Sequence, residues 1–361
     1  MTNSQFEIPG ATRRLFLAAA AAAAPAALAL TAGATPAAAS APTGAATAAD
    51  LPDFAPVPAA SLGPALNSQG YYVGRVKKNL YWVTDGDYQA AFLTTRHGVV
   101  QFDAPPSLGH NLQRAIDEIA AANGVSNKVT HLVHSHHHSD HIGASALFGK
   151  NVVRIGHEDN RRLLRRDNDP AKPLPEVTFK DRYTLHVGGE RVELAWHGSN
   201  HSPDNIYIQF PDHDTLMLVD IVMPGWAPFG NLNFSEDVPG YVKAPTTALA
   251  YPWKQLISGH MGRLGKRADV TMHQAFISDL NESCKQALGT VDIAPYYARY
   301  GNNTWAVIKT WLDEVCRTAA APVAAKYTGV LAAADVFTTT NAFSLVESMR
   351  LDLGYANQIH P

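Results

Sequence analysis

The chain has 361 residues, of which 46% are hydrophobic and 17% charged, and its formal net charge is −3. This composition is typical of a globular protein with a substantial core and excludes extensive disorder beyond the N-terminus. No basic run in the body is longer than a pair such as Arg161–Arg162 or Arg165–Arg166. We interpret them as a solvated helix face, so the charge pattern does not indicate a nucleic-acid partner.

The first forty residues differ in composition from the rest. Arg13 and Arg14 precede an Ala- and Leu-rich run that is interrupted by Pro25 and followed by small residues up to Ser40. This is the order of a signal peptide, and the arginine pair resembles the twin-arginine export signal. We therefore expect residues 1–40 to engage the twin-arginine export machinery, with no stable membrane anchor and a periplasmic or secreted location.

Residues 41–66 are rich in Ala and Pro and have no periodicity, so we interpret them as a linker or extended arm. Residues 67–361 are expected to form one domain. From Tyr71 onward, short β-rich runs alternate with turns. Further strands are expected at 129–133, 151–155, 183–187, 191–196, 206–210, 215–219 and 256–258, and helices at 111–122, 142–148 and across most of 268–353.

A histidine-rich segment, HLVHSHHHSDH, occupies residues 131–141 and follows a β-rich run directly. It is therefore expected in a loop at the end of a strand, where polar side chains can converge. The register His136-x-His138-x-Asp140-His141 provides two alternate imidazoles for one ion and an Asp-His pair for a second. The register that begins at His134 fails, because it requires Asp at 138 and His at 139.

The first motif resembles the signature of the metallo-β-lactamase-fold hydrolases. Three later segments resemble the remaining motifs of that family, in the same order: NHSPDN with His201, LMLVD with Asp220, and ISGH with His260. The resemblance covers approximately residues 70–265 and implies an α/β fold, an αββα four-layer sandwich, followed here by a helical C-terminal region over 268–361.

The resemblance also implies the ligands of two metal ions. The first ion is expected to bind His136, His138 and His201, and the second to bind Asp140, His141 and His260. Asp220 is expected to bridge the two. Asp103 matches a family aspartate that orients a ligand, while Asn200 and Asp204 depart from family glycines.

The remaining histidines are interpreted as structural or surface residues. His131 and His134 lie in the histidine-rich segment but outside the motif, and His97, His157, His186, His197 and His213 lie elsewhere in the chain. His137 lies between two expected ligands, so a position facing the substrate remains an open alternative for this residue. Cys284 and Cys316 can pair in an oxidising compartment, and the sequence leaves that disulfide open.

The ligand set implies a hydrolase in which a metal-bridging hydroxide attacks the substrate, with Asp140 and Asp220 handling the proton. Asp220 resembles the lactonase, thioesterase and phosphoesterase branches, and a carboxylate bridge admits Fe or Mn besides the expected Zn²⁺. The stretch 223–234 contains Trp226, Phe229 and Phe234, which favours an apolar pocket or an anchored loop. We therefore expect cleavage of a small-molecule ester or lactone, with an amide or β-lactam also open.

Three alternatives remain: a mononuclear iron sulfur dioxygenase on the same fold, a phosphoesterase, and an exported metal-binding accessory protein without catalysis. The absence of a Lys or Arg cluster near the motifs disfavours phosphate capture. The sequence does not indicate the oligomeric state.

Overall fold

The computed structural model describes residues 51–354, which contain two β-sheets. The first sheet has its strands in chain order; β1 to β4 pair antiparallel, and β4 to β7 pair parallel. The strands are β1 Tyr72–Lys77, β2 Leu80–Thr84, β3 Gln89–Thr95, β4 Gly98–Phe102, β5 Val129–Val133, β6 Val153–His157 and β7 Val177–Phe179.

The second sheet has the spatial order β12-β11-β10-β9-β8. Its pairs are antiparallel except for β11 with β12, which are parallel. The strands are β8 Arg182–Val187, β9 Glu190–Ala195, β10 Tyr207–Phe210, β11 Thr215–Met217 and β12 Gln255–Ile257.

Helices cover the outer faces of both sheets. Their bounds are α1 Asn111–Asn123, α2 Ser139–Ile142, α3 Glu158–Asp167, α4 Gly230–Phe234, α5 Val238–Ala250, α6 Arg267–Thr290, α7 Ala294–Tyr300, α8 Thr304–Tyr327 and α9 Ala334–Leu351. Short 3-10 turns occupy Ala59–Ser61, Ser145–Phe148 and Pro211–His213. Helix α1 ends at Gly124, whose φ of 64° is the left-handed conformation of a C-cap glycine.

Three hydrophobic clusters separate four layers. In β2, Leu80 and Trp82 point into the cluster between the sheets, whereas Tyr81 and Val83 point into the cluster beneath α1. Alternate residues of a strand face opposite sides of the sheet, so every residue of β2 is buried. The third cluster lies between the second sheet and the C-terminal helices. The αββα sandwich with a helical C-terminal region is thereby confirmed.

The predicted strands and helices are confirmed, with the following differences. Residues 142–148 do not form one helix, because the chain makes the short helix α2 and then a 3-10 turn. Strand β7 and the segments α4 and α5 were not predicted. Helix α5 contains Pro245, a residue that argues against a helix interior.

The twin-arginine segment lies outside the described residues, and the division at 40 and 66 stays a prediction. Within the expected linker, the Ser61 hydroxyl donates to the Gly225 carbonyl at 2.7 Å. Cys284 and Cys316 are buried and unpaired. Across residues 51–354, no helix has the length and apolar character needed to cross a bilayer.

Candidate metal centre

The expected ligands lie in loops that follow strands. Residues 134–138 continue from β5 into α2, and the backbone N–H of His134 still donates to Ile155 of the neighbouring strand at 2.9 Å. Asp220 and His260 follow β11 and β12, which are adjacent and parallel. Because parallel strands end at the same sheet edge, these two side chains meet there. His201 lies in the connection from β9 to β10.

The first group of converging side chains contains His136, His138, His201 and Asp220, whose ligand atoms all lie within 4.8 Å of one another. The Nε2 atom of His201 is 2.9 Å from Nδ1 of His138. The Oδ2 atom of Asp220 is 3.1 Å from Nε2 of His201 and 3.4 Å from Nε2 of His136.

The second group contains Asp140, His141 and His260. The Nε2 atoms of His141 and His260 are 3.1 Å apart. The Oδ2 atom of Asp140 lies 3.4 Å from Nε2 of His141. Asp220 also reaches this group: its Oδ2 is 3.0 Å from Nε2 of His141, and its Oδ1 is 3.2 Å from Nε2 of His260. Asp220 therefore lies between the two groups, as a bridging ligand would.

The donor atoms fit metal ions in both spacing and chemistry. Two ligands bound to one tetrahedral ion at 2.0–2.1 Å are separated by about 3.3 Å, close to the distances within each group. The buried Nε2 of His136 and Oδ1 of Asp220 have no hydrogen-bond partner among the described residues. Such unpaired buried atoms are costly unless a further group satisfies them. The His and Asp residues are thus positioned to bind metal ions.

Burial and charge adjust the protonation of the groups. Burial lowers the pKa of His136 to about 4 and also lowers the pKa of His138. Burial alone would lower the pKa of His141, but the adjacent Asp220 carboxylate raises it to about 9. Burial would raise the pKa of Asp220, yet the surrounding histidines hold it well below its usual range. Metal binding requires neutral imidazoles and an ionised carboxylate, so His136, His138 and Asp220 are in the required states, whereas His141 has to lose a proton when an ion binds.

Surrounding groups hold the ligand segments in place. The Ser135 hydroxyl lies 2.9 Å from Nδ1 of His136, the ring nitrogen opposite the one that faces Asp220. Asp103 accepts a hydrogen bond from the Ser135 backbone N–H at 2.7 Å. Asp103 therefore holds the loop backbone beside His136, and its expected role in orienting a ligand stays a prediction. The Glu236 carboxylate faces Nε2 of His138 at 3.9 Å.

His134 and His137 belong to a buried polar network behind the ligands. Nδ1 of His134 lies 3.2 Å from the Asn160 amide oxygen, which agrees with its exclusion from the motif. Nδ1 of His137 is 2.8 Å from the Asp204 carboxylate, which also accepts from Asn160 and from Ser202. The sequence marked Asp204 only as a departure from a family glycine. The sequence signal that could have indicated this role was the position of the Asp204 carboxylate close to the expected ligand His201.

A cavity of about 680 Å³ opens beside both groups. Phe229 and Phe234 line it, which agrees with one of the two alternatives left open for this stretch. Trp226 does not line it, and its Nε1–H donates to the Ser61 carbonyl at 3.3 Å instead. Among the residues that the structure describes, no Lys or Arg contributes to the lining. The lining residues are Asp87, Tyr88, His138, Ser139, Asp140, His201, Asp220, Met223, Phe229, Asn233, Phe234, His260 and Met261.

Two curated proteins are similar to this chain. The 2,4-dinitroanisole O-demethylase subunit alpha of Nocardioides sp. (strain JS1661) is 24% identical over 59% of this chain and 62% of its own length. The metallo-beta-lactamase type 2 of Elizabethkingia meningoseptica is 27% identical over 42% of this chain and 63% of its own. The chain thus covers less than two thirds of either relative.

Solved structures and a family model were also matched. The metallo-beta-lactamase from Pontibacter korlensis superposes with a TM-score of 0.48 and 20% identity, over 57% of this chain and 97% of that one. Residues 102–253 match the family model of the metallo-beta-lactamase superfamily. This match includes all the converging residues except His260, which lies just beyond it. Residues 102–253 therefore resemble the metallo-beta-lactamase superfamily, and the two sheets with their helices match the fold of that superfamily.

Proposed function

We propose that the protein is a metallo-hydrolase that binds two divalent ions, preferably Zn²⁺, and cleaves the ester or lactone bond of a neutral small molecule. The observation that carries this proposal is the position of Asp220, whose carboxylate contacts histidines of both groups: its Oδ2 faces His201 and His141, and its Oδ1 faces His260. One carboxylate between two ligand groups is the arrangement of a two-metal site. Bound ions would supply an activated water at neutral pH and polarise the scissile carbonyl.

The chain's own residues hold the ions and move the proton. His136, His138 and His201 would hold one ion, and the group of Asp140, His141 and His260 the other. The side chain of Asp140 is 42% exposed and lines the cavity. It is therefore placed to take a proton from the attacking water and deliver it to the leaving oxygen as the carbon–oxygen bond breaks.

The cavity lining supports a neutral substrate. Met223, Phe229, Phe234 and Met261 provide apolar surface, and no cationic side chain is present to hold a phosphate or a carboxylate. A phosphoester is therefore the weaker alternative. A neutral aryl methyl ether is a second candidate, because the aromatic lining accepts such a ring and a relative is named for an O-demethylase.

The test is a panel of chromogenic esters, lactones, aryl ethers, β-lactams and phosphoesters on protein whose metal content has been counted. We expect ester or lactone turnover with two Zn²⁺ per chain, and a loss of at least about 100-fold in Asp220→Ala and His141→Ala, because each removes a ligand. His186→Ala, at an exposed position, is the matched control and should retain full activity.

The alternatives give different results in the same panel. Turnover that survives complete metal removal would refute the proposal. One Fe per chain with thiol-dependent oxygen uptake would support the sulfur dioxygenase. If Asp220→Ala and His141→Ala leave every activity unchanged, a non-catalytic metal-binding role replaces hydrolysis.

We also propose that the twin-arginine machinery exports the protein to the periplasm or the medium. The support is the order of charge, apolar run and small residues in positions 1–40. Replacing Arg13 and Arg14 together by Lys should retain the protein in the cytoplasm, measured by fractionation and immunoblotting. Unchanged export of that double variant would refute this proposal.

A further inference from the structure

The segment α4 is a single left-handed turn, and none of its residues with positive φ is a glycine. Asn231, Leu232, Asn233 and Phe234 have φ angles of 56°, 54°, 59° and 54°. Left-handed backbone costs non-glycine residues roughly 1–2 kcal/mol each, and bulky residues rarely adopt it. Several such residues in succession persist only where neighbouring structure imposes them, typically at functional sites.

The neighbouring contacts that impose the turn begin with Asn233. Its side-chain amide donates to the Asp220 carbonyl and to the Tyr241 hydroxyl, both at 2.9 Å, and its oxygen accepts from the Phe229 N–H at 2.6 Å. Both polar atoms of its side-chain amide are therefore engaged within the protein. Asn233 ties the turn to the backbone of Asp220, which itself has a positive φ of 63°.

Helix α9 holds the other side of the turn. The Asn341 side chain accepts from the Leu232 N–H at 2.7 Å and donates to the Pro228 carbonyl at 2.9 Å. The Phe337 ring lies 4.6 Å from the Phe229 ring. The C-terminal helical region thus supports the cavity wall, although it contributes no residue to either ligand group.

The turn presents two aromatic rings at the cavity. Phe234 is 60% exposed and Phe229 44% exposed, and their centroids are 5.4 Å apart. Because Phe234 stays exposed, the strained turn buries little apolar surface, and a gain in folding stability does not explain the turn. Both rings line the same cavity as Asp140, His201 and Asp220.

We propose that α4 is the substrate-recognition element of the site and that Phe234, with Phe229, binds an uncharged aromatic group of the substrate. Asn233 is a positioning residue that fixes these rings relative to Asp220. Among the described residues, no Lys or Arg lines the cavity, so no cationic side chain is available to pair with an anionic substituent on the ring. The inference rests on the proposed function only for placing the scissile bond beside the ligand groups.

Equilibrium binding tests this without requiring turnover. Calorimetry on zinc-loaded protein would compare 2-acetylnaphthalene, a neutral ketone that is not hydrolysed, with naphthalene-2-sulfonate, an anionic ring of similar size. We expect the ketone to bind at least ten-fold more tightly than the sulfonate. Phe234→Ala should weaken ketone binding about ten-fold, because stacking and apolar contact are both lost.

Controls separate recognition from structure. Phe54→Ala removes a phenylalanine that is 53% exposed and absent from the cavity lining, so it should bind the ketone like the unaltered protein. Phe234→Leu should bind with intermediate affinity, because it keeps apolar surface without a ring. Metal content should be equal in all variants.

Three outcomes would overturn the inference: no ketone binding, equal ketone binding by Phe234→Ala, or sulfonate binding as tight as that of the ketone. Failure of the proposed function has a different signature, since a protein without hydrolytic turnover can still show the Phe234-dependent binding. Conversely, hydrolysis combined with unchanged binding by Phe234→Ala would refute the recognition role alone.

Discussion

Asp204 is a fully buried carboxylate that shapes the site without belonging to either ligand group. It accepts hydrogen bonds from Asn160 and Ser202 and faces the imidazole of His137. Burial would raise the pKa of this carboxyl, but the contact with His137 lowers it below the usual range. His137 is thereby fixed between two expected ligands and has little freedom to face a substrate.

His273 on α6 is a buried histidine that belongs to neither ligand group. It is 3% exposed, its Nε2 has no hydrogen-bond partner among the described residues, and its ring lies 5.8 Å from that of Tyr241. Burial lowers its pKa from 6.5 to about 4. The folded state therefore keeps this imidazole neutral at pH values where the unfolded chain binds a proton.

This difference predicts a pH-dependent loss of stability. Above pH 6.5, His273 is neutral in both the folded and the unfolded state and does not change the free energy of unfolding. As the pH falls from 6.5 towards 4, only the unfolded state takes up the proton, so the free energy of unfolding falls. Between pH 7 and pH 4, His273→Gln should lose less free energy of unfolding than the unaltered protein, by on the order of 3 kcal/mol. Urea unfolding at both pH values measures this. Exposed His186→Gln should behave like the unaltered protein, and equal losses in all three would contradict the prediction.

At the scale of elements, α9 is coupled to the cavity through the left-handed turn α4. The Asn341 amide satisfies two buried backbone groups, the Leu232 N–H and the Pro228 carbonyl. Unsatisfied buried polar groups cost about 1–3 kcal/mol each. Asn341 belongs to a helix outside the two sheets, yet removal of its side chain therefore weakens one wall of the cavity.

Asn341→Ala should lower the free energy of unfolding by about 2–4 kcal/mol, because both backbone groups lose their partner. It should also raise KM for a neutral aromatic substrate while leaving metal content unchanged, since no ligand is touched. Urea unfolding, metal counting and steady-state kinetics measure these effects. Thr339→Ala, at an exposed position on the same helix, is the control. A loss of bound metal in Asn341→Ala would show that the turn supports the ligands instead of the pocket.

For the molecule as a whole, the sequence predicted the layers and the converging residues better than the contacts that support them. His136, His138 and His141 lie in one short motif, whereas Asp220 and His260 were expected from the resemblance to the metallo-β-lactamase-fold hydrolases. Their role as metal ligands stays a prediction. The turn α4 was not predicted, because Asn231 to Phe234 contain no glycine to indicate left-handed backbone. Its conformation depends on Asn341, more than a hundred positions away.

Both sheets contribute to the metal centre, and this has a consequence for how the chain folds. His141 and His260 are 119 positions apart, so an unfolded chain holds no preformed pair of ligand groups. Contacts of such long range form late, because they must overcome the entropy of closing a large loop. We therefore expect ion capture to follow docking of the two sheets and to slow their separation. The ions available where the chain completes its folding would then decide which metal the protein carries.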